Sequence, residues 1–167
     1  MRRFLFGAAL GALVILSAAT ASAQEYKLGA YGGASTGIEG GGAGAFGVRR
    51  ARTTLRLGGD AAVDEFPNDI FGVYGIIEIE PHASFGAEGR YMRLISPLNV
   101  VHVGAIGIFA PSTLFGANAG FDHRFALGKS IALEVGPTFQ VFFIGGDLPD
   151  NSVIFQGLLQ VGIHANL

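Results

Sequence analysis

The side chains able to do chemistry are few and scattered. Four histidines, His82, His102, His123 and His164, stand far apart and match no metal-ligand spacing. Asp147 and Asp150 could meet calcium in a loop, but the spacing of a calcium-binding loop is missing. The glycine-rich stretch from Gly32 to Gly47 lacks the lysine and the strand–helix setting of a phosphate cradle, and reads as a surface loop. No nucleophile–base pair emerges from the spacing. The expectation is therefore no catalytic residue, no metal site and no cofactor.

The elements that would position these groups begin after a leader. Met1-Arg2-Arg3 is basic, Phe4 to Ala19 is apolar, and Thr20-Ala21-Ser22-Ala23 ends in small residues. That order predicts a signal peptide over 1–23. Its apolar run of about 16 residues is shorter than the about 20 a spanning helix needs. One domain over 24–167 is expected to follow. The chain has no cysteine, which excludes disulfides and a lipid-attachment thiol. It carries 11 Lys and Arg against 13 Asp and Glu, and loss of Arg2 and Arg3 makes it more acidic still, so nucleic acid is not expected as a partner.

Mean hydropathy is +0.45 and only 14% of residues are charged, against about a quarter in ordinary soluble domains. Yet past residue 23 no apolar run could form a membrane helix, so the apolar residues must alternate. From Phe115 to Leu127 the odd positions are mainly Phe, Ala and Leu, while the even positions are Gly116, Asn118, Gly120, Asp122, Arg124 and Ala126. The same phase continues through Ile131–Phe143 and, after the break at 145–151, through Val153–Leu167. Earlier strands are read at 25–32, 46–63, 70–80, 84–95 and 99–109, with turn residues between them. The total is eight, an even number that can close antiparallel.

The polar row is dominated by glycine with single Asn, Gln, Glu, Asp and Arg residues, and only Lys27 and Lys129 follow the leader. Compact polar groups suit the cramped interior of an eight-stranded barrel, and the Val/Leu/Phe row suits hydrocarbon. The expected fold is an all-β, eight-stranded antiparallel up-and-down transmembrane β-barrel. Arg93, on the outward row beside a turn, is expected at headgroup depth. Pro137, inside a strand, predicts a bulge. With no tryptophan, an aromatic girdle must come from residues such as Tyr26, Tyr31, Tyr91 and Phe125.

Turn centres then fix which charges meet. A centre at Gly128–Ser130 sets Arg124 opposite Glu134, and one near Ser112 sets His102 opposite Asp122. A centre near Pro67 sets Arg56 opposite Glu78, with Arg52 and Glu80 close by. With Glu88 and Arg90, these residues form an expected interior network that is structural and leaves no conducting pore, since unpaired charges would be costly to bury. Arg49, Arg50 and Arg52 could clamp lipopolysaccharide phosphates, although salt bridges to Glu78 and Glu80 are the favoured reading.

The C-terminal run Gln160-Val-Gly162-Ile-His-Ala165-Asn-Leu167 resembles the terminal strand by which outer-membrane barrels are recognised for assembly. Leu167 departs from the usual aromatic ending. The chain after its leader resembles the small outer-membrane barrels of the OmpA-domain, OmpX and opacity-protein kind. That resemblance implies an outer-membrane location, periplasmic termini and extracellular loops near 33–43, 81–84, 111–113 and 145–151. It also implies outer-membrane lipids, lipopolysaccharide and the barrel-assembly machinery as partners, for a monomer. Two alternatives stand beside it: a soluble periplasmic lipocalin-like carrier of a lipophilic ligand with the faces reversed, and a lipid A-modifying barrel enzyme. The outer-membrane deacylases are similar in size but use a His-x-Ser, and here Asp122-His123-Arg124-Phe125 has Phe where the serine would stand.

Overall fold

The computed structural model describes residues 26–41, 47–63, 65–79, 83–111, 113–146, 148 and 152–167. The leader lies outside them, as do Glu80, His82, Asp147 and Asp150. Every regular element described is a strand. These are β1 (Tyr26–Gly41), β2 (Gly47–Arg50), β3 (Thr54–Val63), β4 (Asp69–Glu78), β5 (Ser84–Ser96), β6 (Asn99–Ala110), β7 (Leu114–Ala126), β8 (Ile131–Gly145) and β9 (Ile154–Asn166). Both β2 and β3 pair with β1, from β3 onward neighbours in sequence pair antiparallel, and β1 also pairs with β9, so the sheet closes.

Nine segments make eight staves. β2 pairs with the end of β1 (Ile38 with Arg50), and β3 pairs with the rest (Ser35 with Thr54). The register slips by one across 51–53, where the Ala51 amide donates to the Gly37 carbonyl at 2.9 Å. The long strand expected at 46–63 is thus one stave with a break in it.

β1 corrects a second expectation. The loop placed at 33–43 is strand as far as Gly41. Apolar periodicity hid it, because this part of β1 turns Gly33, Ser35, Gly37 and Glu39 inward. At Gly37 any Cβ would run into the backbone at Gly157 on β9, so glycine is what lets these two strands meet. Pro137 produces no bulge. It pairs with Leu159 in unbroken register, and the β7–β8 register is the same on either side of it. The β7–β8 ladder merely lacks pairings there, as a residue without an N–H requires. Register shifts fall elsewhere, at 85/86, 94/96 and 115/116.

Both described chain ends and the short turns at 65–68, 97–98 and 127–130 lie at one end of the barrel, the turn end. The connections after β1, β4, β6 and β8 lie at the other, the loop end. Outside β2, which is exposed at every position, and residues 106–108 of β6, which are all buried, period two holds: exposed Val, Leu, Ile and Phe alternate with buried residues. This is opposite to the faces of a soluble calyx.

The interior is not polar throughout. Ile76, Ile106, Ile108 and Phe142 form a buried apolar cluster toward the loop end, with Leu114 and Ile154 against it. A second cluster, Tyr31, Ala62, Ile70, Tyr74, Met92 and Val100, fills the turn end. Ile76 on β4 and Phe142 on β8 stand on opposite staves, so the loop-end cluster crosses the lumen.

Candidate functional site in the barrel interior

Between the apolar clusters lies a belt of buried charge centred on Glu88, which is 1% exposed. Its carboxylate accepts from Arg56 Nε (2.8 Å), from Arg90 Nε and from Asn118 Nδ2 (2.9 Å). Arg56 also donates to Ser35 Oγ (2.8 Å), and both guanidinium groups donate to Gln160 Oε1, at 3.2 and 3.1 Å. Arg90 lies 5.4 Å from the centre of the Tyr74 ring, close enough for a cation–π contact. Gln160 Nε2 donates to Asp122 Oδ1 at 3.3 Å. Asp122 Oδ2 stands 3.0 Å from His102 Nδ1, and His102 Nε2 stands 3.4 Å from Thr138 Oγ1.

Smaller groups flank the belt. At the turn end Arg124 donates to Glu134 (2.6 Å), and His164 Nε2 lies 3.1 Å from Asp60, which also accepts from Tyr74. Toward the loop end Arg52 donates to Glu78 and Ser84 (2.9 Å each), and Arg49 and Gln156 both donate to Glu39.

Three of the expected pairings meet different fates. Arg124 and Glu134 are register partners and bonded, as the turn centre required. His102 and Asp122 do meet, but diagonally, because the register sets Val100 against Asp122. Arg56 does not meet Glu78. The β3–β4 register sets Ile76 against Arg56 and Thr54 against Glu78, so Glu78 pairs with Arg52 and Arg56 reaches over β4 to Glu88. The third turn centre was misplaced by one residue, and that moves a partner by two. The bridges expected from Arg49, Arg50 and Arg52 are realised to Glu78 by Arg52 alone. Arg49 bonds to Glu39 instead.

Tyr31 was expected in the outer girdle but lies inside, 5% exposed, edge-on to Tyr74 at 5.6 Å. Its ring covers Gly33 and Gly162, where a Cβ would strike it. Gly162 of the C-terminal run is therefore a seat for an aromatic ring. An inward tyrosine two residues from an inward glycine (Tyr31 and Gly33, Gly72 and Tyr74) is the sequence signal that would have found both rings. In the same C-terminal run, Gln160 is wholly buried at the hub of the belt, Ala165 is half-buried, and Leu167 is exposed at the end.

The Asp122–His102–Thr138 array has the order of a nucleophile relay. All three residues are at most 3% exposed. The apolar clusters lie above and below, so the array is a link in the belt. His123, where the deacylase pattern would begin, points outward to Asn99 Oδ1 (2.8 Å) and packs against Phe125.

The outer wall completes the picture. Among the described strands its charged residues are Asp69, Arg93 and Arg50. Asp69 and Arg93 are 3.6 Å apart at the turn end, where Tyr91 donates to Asp69 and packs against Phe71. Arg93, Tyr91 and Phe125 thus sit at a barrel rim, as expected. The side chain of Tyr26 lies outside the described residues.

No model of a known protein family matches the sequence, and no curated protein matches it. Two solved structures share its fold. The crystal structure of Neisserial surface protein A (NspA) matches with a TM-score of 0.55 at 13% identity, over 86% of this chain and 99% of that one. A de novo designed transmembrane β-barrel matches with a TM-score of 0.50 at 14% identity, over 84% and 95%. The chain is an eight-stranded antiparallel closed barrel.

Proposed function

We propose that this chain is an integral protein of a Gram-negative outer membrane, non-enzymatic and non-conducting, serving an envelope-structural or surface-interaction role. One observation carries the reading: a closed barrel exposes an almost wholly apolar wall while its charges pair inside. In water that wall would be an aggregation surface. In a bilayer it is the solvent-facing side, and closure satisfies the backbone. The longest connection, between β8 and β9, lies at the loop end, which supports taking that end as extracellular and the turn end as periplasmic. Likeness to two membrane barrels supports this placement.

The closed lumen rests on two barriers in series. The Ile76–Phe142 cluster is an apolar constriction of the kind that excludes water, and the Glu88 belt fills the section beneath it. In planar bilayers the purified protein should give no steady, large-conductance steps, and porin-like openings would overturn the non-conducting reading. On gels the unboiled protein should migrate differently from the boiled one, and it should require detergent to stay in solution. A detergent-independent protein with no mobility shift would overturn the membrane reading. The lipid A of cells expressing the chain should keep its mass; a shift would reveal an enzyme.

A further inference from the structure

Arg50 is the one outward-facing charge at the loop end among the described strands, and no described residue pairs with it. Register puts it on the lipid side: its partner Ile38 is 63% exposed and Ala51 after it is buried, while Arg49 before it, 70% exposed, bonds to Glu39. Below it the same stave continues through Leu55 and Leu57, which line a depression of about 400 Å³ with Gly75, Ile77, Phe85 and Gly86. Gly75 is part of its lining. A Cβ there would meet nothing closer than the Leu57 carbonyl at 3.7 Å, so the space above it is open.

A guanidinium with no partner among the described residues, at headgroup height, calls for an anion. An apolar hollow within the hydrocarbon calls for an alkyl chain. Leu55 follows Arg50 by five residues, across the break at 51–53, a span of at most about 16 Å, within the length of one fatty acyl chain hanging from the interface.

We propose that β2–β5 hold one phosphorylated, acylated glycolipid of the lipid A type, its phosphate on Arg50 and one acyl chain over Gly75. The assignment rests on the outer-membrane reading, which puts the loop end in the lipopolysaccharide leaflet. It replaces the clamp of Arg49, Arg50 and Arg52 by one cation and one groove.

Native mass spectrometry of the detergent-purified full chain with added diphosphoryl lipid A tests it. The wild type should retain one molecule. Arg50→Gln and Gly75→Leu, which removes the anchor and fills the hollow respectively, should each weaken retention at least about fivefold. Ala119→Leu, on the outward face of β7, should not. Retention unchanged in either variant, or dephosphorylated lipid A or phosphatidylglycerol held as firmly, would overturn the site. Variants that lose the heat-dependent gel shift are replaced by Arg50→Lys, which keeps the charge but not the forked donor and should weaken retention by less than Arg50→Gln. A heat-modifiable wild type that retains no lipid A defeats this site alone, whereas a detergent-independent wild type defeats the membrane reading beneath it.

Discussion

Glu88→Gln should lower the unfolding free energy by about 3–5 kcal/mol, the cost of breaking a buried ion pair by removing one partner. The substitution keeps the shape and an acceptor oxygen but removes the carboxylate that, alone among the described residues, touches both Arg56 and Arg90. Both guanidinium groups are at most 3% exposed, so neither can turn to water. Gln160 offers them a single neutral oxygen. Urea titration of the protein in lipid vesicles, followed by gel mobility, measures the loss. Adding Arg90→Met should recover part of it, since one stranded charge then replaces two. A loss below about 1 kcal/mol would show that the belt is open to water. Conductance should stay closed in this variant, because the apolar cluster above the belt is untouched.

Phe142→Ala should cost about 3–5 kcal/mol in the same assay, as large-to-small changes in cores do. Phe142 is 1% exposed and joins Ile76, Ile106 and Ile108 across the lumen. Its loss leaves a void between opposite staves that lipid cannot enter. Phe139, three residues earlier on the same strand, is 64% exposed on the outer wall. Phe139→Ala should cost only the transfer contribution, about 1.5–3 kcal/mol, since acyl chains close over the gap. Equal losses at the two positions would contradict the assignment of faces.

How far these positions were legible depends on what fixed them. Alternation fixed the faces from Phe115 to Leu167, because a one-residue slip would turn every apolar side chain inward. It failed at Gly33–Gly41, where an inward row of Gly, Ser and Glu leaves no apolar trace. Hairpin arithmetic found Arg124–Glu134, whose tight turn is unambiguous. It could not find Arg56–Glu88, because the two residues are not on neighbouring strands. In so narrow a barrel a long side chain crosses the lumen, and pairing is decided by height and reach as much as by register. Phe142 and Ile108 were missed for a related reason. A rule of polar-in and apolar-out has no place for apolar residues at an inward position, although sealing a polar lumen calls for them.

The contacts around Glu88 differ from those at the rims in which strands they join. Arg124–Glu134, Arg52–Glu78 and Arg49–Glu39 each link adjacent staves and can form within one hairpin. Arg56–Glu88, Asn118–Glu88, Thr138–His102, Gln160–Asp122 and His164–Asp60 each step over a strand, and Arg90–Gln160 spans the lumen. A sheet that is paired but still open can make the rim contacts and the Glu88–Arg90 pair, but leaves Gln160 away from Arg56 and Arg90, and His164 away from Asp60. Partial insertion is therefore penalised until the last seam, β1 against β9, is drawn shut. Closure of that seam brings together the pairs that reach across it, His164–Asp60, Gln156–Glu39 and Arg56–Gln160, which makes the barrel a lock whose last pins are set by its first and last strands together.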